Sequence, residues 1–209
     1  MPFTLVYGDD LHDFPRLGDE MLRERGAQFK EKLGWALHID EAGRETDEYD
    51  RLNPLYIVLS DDEGQHIGST RLMPSTGPTM IADHFAHLTD GVAISSSTIW
   101  EVTRFFVSDR ANRRAAPALM WAGCDFALRA GVEFFVGVTG AHMVRVFSAC
   151  GWSPEVIGRA DSPDGEICAC LWEVSEALSD KLRARAGISP NAARLTVHRP
   201  VREFSALAA

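Results

Sequence analysis

One stretch in the second half of this chain constrains the fold most. Residues 98–107 (TIWEVTRFFV) are dense in β-branched and aromatic side chains, which suit a pleated, half-buried surface. Residues 114–130 follow as an Ala-rich helix closed by Gly131, a residue suited to the left-handed helix end. Residues 132–138 (VEFFVGV) read as a buried strand, and 141–150 as a helix stopped by Gly151. A strand, a helical crossover and a second strand pair in parallel.

The first half adds an antiparallel part. Residues 3–7 read as a short strand. Residues 12–34 carry Phe14, Leu17, Met21, Leu22, Phe29 and Leu33 at roughly helical spacing, with Gly18 and Gly26 permitting one helix or two. Residues 36–53 form a long acidic loop, of the kind that often carries function. A hairpin follows, with strands at 55–59 and 66–73 around the turn SDDEGQ. A short helix is expected over 79–88, strands near 152–158 and 166–174, a helix over 175–186 and a tail over 187–209. The fold class is therefore α/β: a mixed twisted sheet flanked by helices. One domain is expected over 1–209, with an N-terminal segment (1–53), a core (54–175) and a C-terminal helix and tail (176–209).

A formal net charge of −9 disfavours sequence-independent nucleic-acid binding. The start, MPFTLVYGDDLHDF, has neither a basic n-region nor a long apolar h-region, and no apolar run is long enough to span a bilayer. Cys124, Cys150, Cys168 and Cys170 form no CxxC pair. A cytoplasmic protein with reduced thiols, and no membrane partner, is expected. The histidines show no HExxH pattern and there is no GxSxG, so neither a metal site nor a serine-hydrolase elbow is expected. Lys181, Arg183, Arg185, Arg194, Arg199 and Arg202 fall in a stretch without acids. It reads either as a solvated helix face and tail or as a landing site for an acidic carrier protein.

Glu101 stands out among the charged residues because it lies inside the most apolar strand. Burying an unpaired carboxylate is costly, so it must be paired, protonated or turned to a polar cleft. Arg104 is three residues on, and an ideal strand would send it to the other face. If both serve one site, the strand must bulge. Past it, VSDRANRRAAPAL joins the strand to the helix and carries Arg110, Arg113 and Arg114. Backbone N–H groups at such a helix start attract anions. This junction resembles the coenzyme-binding segment of the GCN5-related N-acetyltransferase (acyl-CoA N-acyltransferase) fold, with Asn112, Ala115 and Ala116 in place of that loop's glycines.

A wider set of residues resembles the signature of acyl-homoserine-lactone synthases (LuxI-type autoinducer synthases). Arg25, Phe29 and Trp35 lie in RGAQFKEKLGW, Asp47 and Asp50 in ETDEYD, Arg71 in GSTRLMP, Phe85 in ADHFAHL, and Glu101 and Arg104 in WEVTRFFV. The likeness runs from about residue 20 to residue 107 and continues more loosely through TGAHMVRVFSACGW. It implies transfer of an acyl group from an acyl-carrier protein or acyl-CoA to the amine of S-adenosylmethionine. Lactonisation then releases 5′-methylthioadenosine. Both reactants are substrates, and no bound prosthetic group is expected.

The resemblance also implies roles. Glu101 takes the amine proton, with Arg104 and Arg71 tuning its charge. Arg25, Phe29, Trp35, Asp47, Asp50, Arg71 and Phe85 form the S-adenosylmethionine side, the acids suiting a cationic substrate and the rings an adenine or sulfonium. Phe105, Phe106, Val107, Arg110, Thr139, Met143 and Phe147 form the acyl and pantetheine side, with Trp121, Val136 and Val138 as further channel candidates. A backbone N–H near 105–107 is the expected oxyanion donor.

Two other readings share the fold. One is a different N-acyltransferase that moves an acyl group from coenzyme A to a small amine, which leaves the Arg25–Asp50 set idle. The other is a non-catalytic ligand-binding module. Release of methylthioadenosine separates the first reading from both.

Overall fold

The computed structural model describes residues 1–32, 37–191 and 195–198. Its seven-stranded sheet has the order β1-β2-β3-β4-β5-β7-β6. The strands are β1 (Phe3–Tyr7), β2 (Leu55–Ser60), β3 (His66–Pro74), β4 (Ile99–Val107), β5 (Phe134–Gly140), β6 (Glu155–Ser162) and β7 (Gly165–Glu173). The helices are α1 (Pro15–Gly26), α2 (Met80–His84), α3 (Ala115–Ala130), α4 (Ala141–Cys150) and α5 (Glu176–Ala186). Strands β1 to β4 form an antiparallel meander, β4 and β5 run parallel, and the β6–β7 hairpin returns antiparallel onto β5. The mixed sheet and its single parallel step match the sequence pattern.

All six residues of β2 are buried, because both faces of the sheet are covered. Leu55 and Ile57 join Leu119, Trp121 and Leu182 in the core beneath α3 and α5. Tyr56 and Val58 turn to the other face and pack with Met21 of α1. Lining one face with apolar side chains at every second position is what β pairing dictates; α3 and α5 cover one face and α1 the other.

Element ends differ from expectation where local bonds intervene. The N-terminal helical run breaks twice, at Phe14–Pro15 and again just after Gly26, one of the two glycines expected to permit a break. Residues Gly8–Asp13 form a 3₁₀ turn, Pro15 starts α1, and Ala27–Lys32 widen into a π turn. Gly26 has a separate use: a Cβ there would lie 2.8 Å from the Gly43 carbonyl, so its absence lets the acidic loop cross α1 closely. Strand β5 begins at Phe134 rather than residue 132, because Val132 N–H still caps α3 through the Ala127 carbonyl. The tail is partly tied down. Val197 bridges Leu5 in parallel, and His198 reaches Asp13 at 2.8 Å, covering the β1 edge.

Strand β6 extends through Gly158 instead of ending there. The register slips between Val156 and Gly158, and a Cβ on Gly158 would come within 1.7 Å of the Leu88 carbonyl oxygen. The 3₁₀ segment Ala86–Thr89 thus sits directly on this strand. Gly158→Ala is expected to cost about 3 kcal/mol, since backbone cannot yield as a side chain can. A fall in the urea unfolding midpoint at unchanged slope would check it.

Candidate active site

The site starts from a defect in the sheet. Arg71 of β3 pairs with Thr103 of β4, yet Ser69 pairs with Phe106, so β4 carries one extra residue. Arg104 takes up the surplus in the left-handed region, at φ +53. The bulge flips the side-chain alternation. Trp100, Val102 and Phe105 pack toward the α3 core, whereas Arg104 joins the same polar face as Arg71 and Thr103. The bulge required by the spacing of 101 and 104 is present.

The same region opens the sheet. Strand β4 pairs with β5 only from Ile99↔Phe134 to Glu101↔Val136. Beyond Glu101 the two strands diverge. Gly137 sits at the point of divergence, where a Cβ would meet the Val102 carbonyl at 2.6 Å. A cavity of about 1200 Å³ threads this opening. That exceeds the 300–1,000 Å³ range, roughly, of pockets for one drug-sized ligand, and suits two substrates together. Its polar part is lined by Asp47, Tyr49, Glu101 and Arg104, and its apolar part by Leu119, Phe135, Phe147, Trp152 and Trp172.

Glu101 lines the cavity at the last β4–β5 pair before the strands part. Its side chain is 1% exposed. One carboxylate oxygen accepts the Met80 N–H at 2.9 Å and the other the Ile81 N–H at 2.7 Å. Burial raises its pKa above the ordinary carboxylate value, against the lowering effect of those two N–H groups and of Arg71. The result is a fixed carboxylate that is more basic than one in water.

A closed ring of alternating charge is built nearby, and its Arg71 acts electrostatically on Glu101. Arg25 bonds Glu45 and Asp50, Arg71 bonds Asp50 and Asp47, and Arg104 bonds Asp47 and Glu45. Every link has an N···O separation of 3.1 Å or less. Asp47 also caps the turn Glu48–Arg51, with Asp50 returning a bond to its backbone. The guanidiniums of Arg25 and Arg71 hold the Asp50 carboxyl well below the usual carboxylate range, overcoming its burial. The Tyr56 hydroxyl donates to Asp50 at 2.5 Å.

This ring changes several assignments. The acids do not lie open for a cation: arginines neutralise Asp47 and Asp50. Arg25, Asp50 and Arg71 stand behind the cavity wall, while Phe29, Asp47, Phe85, Glu101 and Arg104 line it. Arg104 pairs with Glu45 and Asp47 rather than Glu101, and its guanidinium sits 5.6 Å from the Phe29 ring centre. Trp35 lies outside the described residues.

On the acyl side, Phe105, Val138, Thr139, Met143 and Phe147 line the cavity. Phe106 turns away and stacks on His66 at 5.9 Å. Val107 is likewise absent from the lining and packs in the α3 core. Arg110 bonds Glu24, Gln65 and the His66 carbonyl, which carries it to the start of β3. Trp121 packs on Phe3, and Val136 packs with Ile81 and Leu88 on the far face. Both leave the channel for the same reason: their strand or helix position points them into a core. In the C-terminal basic run, Arg183 pairs with Asp180 and Arg185 donates to the Ala149 carbonyl. Arg194, Arg199 and Arg202 lie outside the described residues.

Sequence reasoning missed Glu45, which is fully buried and bonds two of the three arginines. Glu41 and Glu48 in the same loop are exposed, and nothing in the local pattern separates the three. It also missed the Met80 and Ile81 N–H groups, which no side-chain type announces.

The open mixed sheet flanked by helices has a fold also seen in N-acetyltransferases. A putative N-acetyltransferase from Lactobacillus plantarum shares the fold, at a TM-score of 0.55 and 15% identity over 84% of this chain and all of that one. The family model for autoinducer synthases matches residues 11–182. An acyl-homoserine-lactone synthase of Rhizobium etli is 36% identical over 201 residues, spanning 90% of this chain and 94% of that protein. The solved structure of a CoA-dependent acyl-homoserine lactone synthase, MesI, superposes at a TM-score of 0.81 with 25% identity, over 92% of this chain and 98% of that one. The chain belongs to the acyl-homoserine-lactone synthase family, and is an acyltransferase.

Proposed function

We propose that this enzyme acylates the amine of S-adenosylmethionine with a thioester-borne acyl group and then closes the lactone, releasing 5′-methylthioadenosine. One observation carries the reading. Glu101, a buried carboxylate of raised basicity gripped by two backbone N–H groups, lines one cavity that has both polar and apolar walls. An α-amine is mostly protonated near neutral pH, and it must lose that proton to attack. Glu101 accepts it, directly or through one water. The nitrogen then bonds the thioester carbonyl carbon and the thiolate departs, taking up a proton. In the second step the methionine carboxylate attacks its own γ-carbon, and the sulfonium leaves as the neutral thioether. That step needs positioning more than acid–base help.

Phe29, Asp47, Phe85 and Arg104 hold the S-adenosylmethionine side, and the charge ring behind them keeps Asp47 and Arg104 in register. The ladder between β3 and β4 skips Arg104 and Phe105, so the backbone at this bulge supplies the oxyanion donor. The CoA dependence of MesI supports an acyl-coenzyme A donor for this chain; an acyl-carrier protein is the other. The reaction draws on two substrates and calls for no prosthetic group. No helix among the described residues is long and apolar enough to cross a membrane, and the proposed compartment is the cytoplasm.

The test is incubation of the purified protein with S-adenosylmethionine and an acyl-coenzyme A, followed by mass spectrometry. Stoichiometric acyl-homoserine lactone and methylthioadenosine are expected. Amide formation on another amine, with no methylthioadenosine, would make it a different N-acyltransferase.

A further inference from the structure

Gly123 has no structural explanation, and that points to what the apolar chamber holds. It lies in the middle of α3, a 16-residue helix. Glycine there costs stability relative to alanine, because it gains nothing from a side chain and loses the most backbone freedom. Two needs commonly justify such a glycine. One is a left-handed backbone, and Gly123 is not among the positive-φ residues. The other is a close approach by a neighbour, but beyond its chain neighbours and its own helix backbone no heavy atom lies within 4 Å of where its Cβ would stand. Gly26, Gly137 and Gly158 each face a carbonyl oxygen within 3 Å; Gly123 faces empty space.

That space is the cavity. Gly123 lines it together with Leu119 and Met120 on one face of α3. Opposite stand Phe135, Trp152, Trp172 and Phe147. Their rings are locked edge to face, Phe135 on Trp152 at 5.9 Å and Phe147 on Trp172 at 5.3 Å, so these walls are rigid and the gap beside Gly123 is the adjustable dimension. Both outer tryptophans are buried, and no ionic group is among these residues. We infer that Gly123 sets the length of acyl chain this enzyme accepts, by leaving room beside α3 for the distal methylenes of a medium-to-long straight chain. The inference rests on the acyl-transfer reading above and deepens it.

Two substitutions test it, Gly123→Ala and Gly123→Leu, with saturated acyl-coenzyme A donors from butanoyl to tetradecanoyl. Each methylene displaced from an apolar wall weakens binding roughly fourfold. The ratio of kcat/KM for the longest accepted donor to that for a short one is therefore expected to fall several-fold in the alanine variant. In the leucine variant it should fall roughly tenfold or more. Gly123→Ala should at the same time keep or raise Tm, which a glycine needed for the fold would not permit. Acyl binding is read separately, by quenching of the tryptophan fluorescence, without any need for turnover. Chain-length-dependent binding that the substitutions shorten supports the inference. An unchanged length profile in both variants, or a fall in Tm for Gly123→Ala, would overturn it. Shortened binding profiles without any methylthioadenosine release would sink the synthase reading alone and leave the chamber assignment standing.

Discussion

Glu101→Gln is expected to lower methylthioadenosine release by roughly 10²–10⁴-fold, the usual contribution of a positioned general base. The amide keeps the size of the side chain, and its oxygen can still accept one of the two N–H bonds from Met80 and Ile81. What it cannot do is take a proton. Substrate affinity should therefore change far less than turnover, which steady-state kinetics with equilibrium binding of S-adenosylmethionine would separate. The pH profile carries a second signature. Burial raises the Glu101 pKa, so the rising acidic limb of kcat in the native enzyme should lie above the ordinary carboxylate value, and it should vanish in the variant. Near-native turnover would remove Glu101 as the base.

Glu45→Ala should do its damage to the fold. The carboxylate is fully buried and bridges Arg25 to Arg104. Removing it leaves two buried guanidiniums each short of a partner, and breaking a buried ion pair from one side costs about 3–5 kcal/mol. Chemical denaturation should report that loss. Glu45→Gln should recover only part of it, because hydrogen bonds return without the charge. A surface acid in the same loop, such as Glu41, is the natural control, and Glu41→Ala should stay within about 0.5 kcal/mol of native. A Glu45→Ala protein as stable as the native one would mean that the ring contributes nothing net. The ring also predicts acid lability. The depressed Asp50 pKa contributes stability that is complete above its unfolded value and is lost as pH falls through that value toward the folded one.

Much of the fold was legible because the periodicities were long. Residues 98–150 announced strand, helix, strand and helix by composition and spacing. The structure differs there by one or two residues at element ends, most of all in β5, which a helix cap at Val132 delays and which runs on to Gly140. The polar site was legible as a set of residue types, through the likeness of Arg25, Asp47, Asp50, Arg71, Glu101 and Arg104 to one family. Their mutual arrangement was not. Glu45 looked like any loop acid. The sequence groups Phe106 and Val107 with the acyl site beside the expected oxyanion donor, and Arg110 with the coenzyme-binding helix start. The inserted residue at Arg104 decides which side chains of this strand face the cavity, and bonds to Glu24, Gln65 and the His66 carbonyl decide where Arg110 goes.

The sequence by itself determined the alternation of elements, the parallel crossover, and the condition that Glu101 and Arg104 can share a face only if the strand bulges. These depend on near neighbours along the chain, whose spacing local geometry converts directly into a face or a turn. Only the tertiary structure decided that three acids and three arginines close into a neutral ring, that backbone N–H groups grip Glu101, and that Gly123 borders open space. Each of these depends on groups far apart in the chain meeting at a particular distance, and charge pairing and packing are settled by that distance.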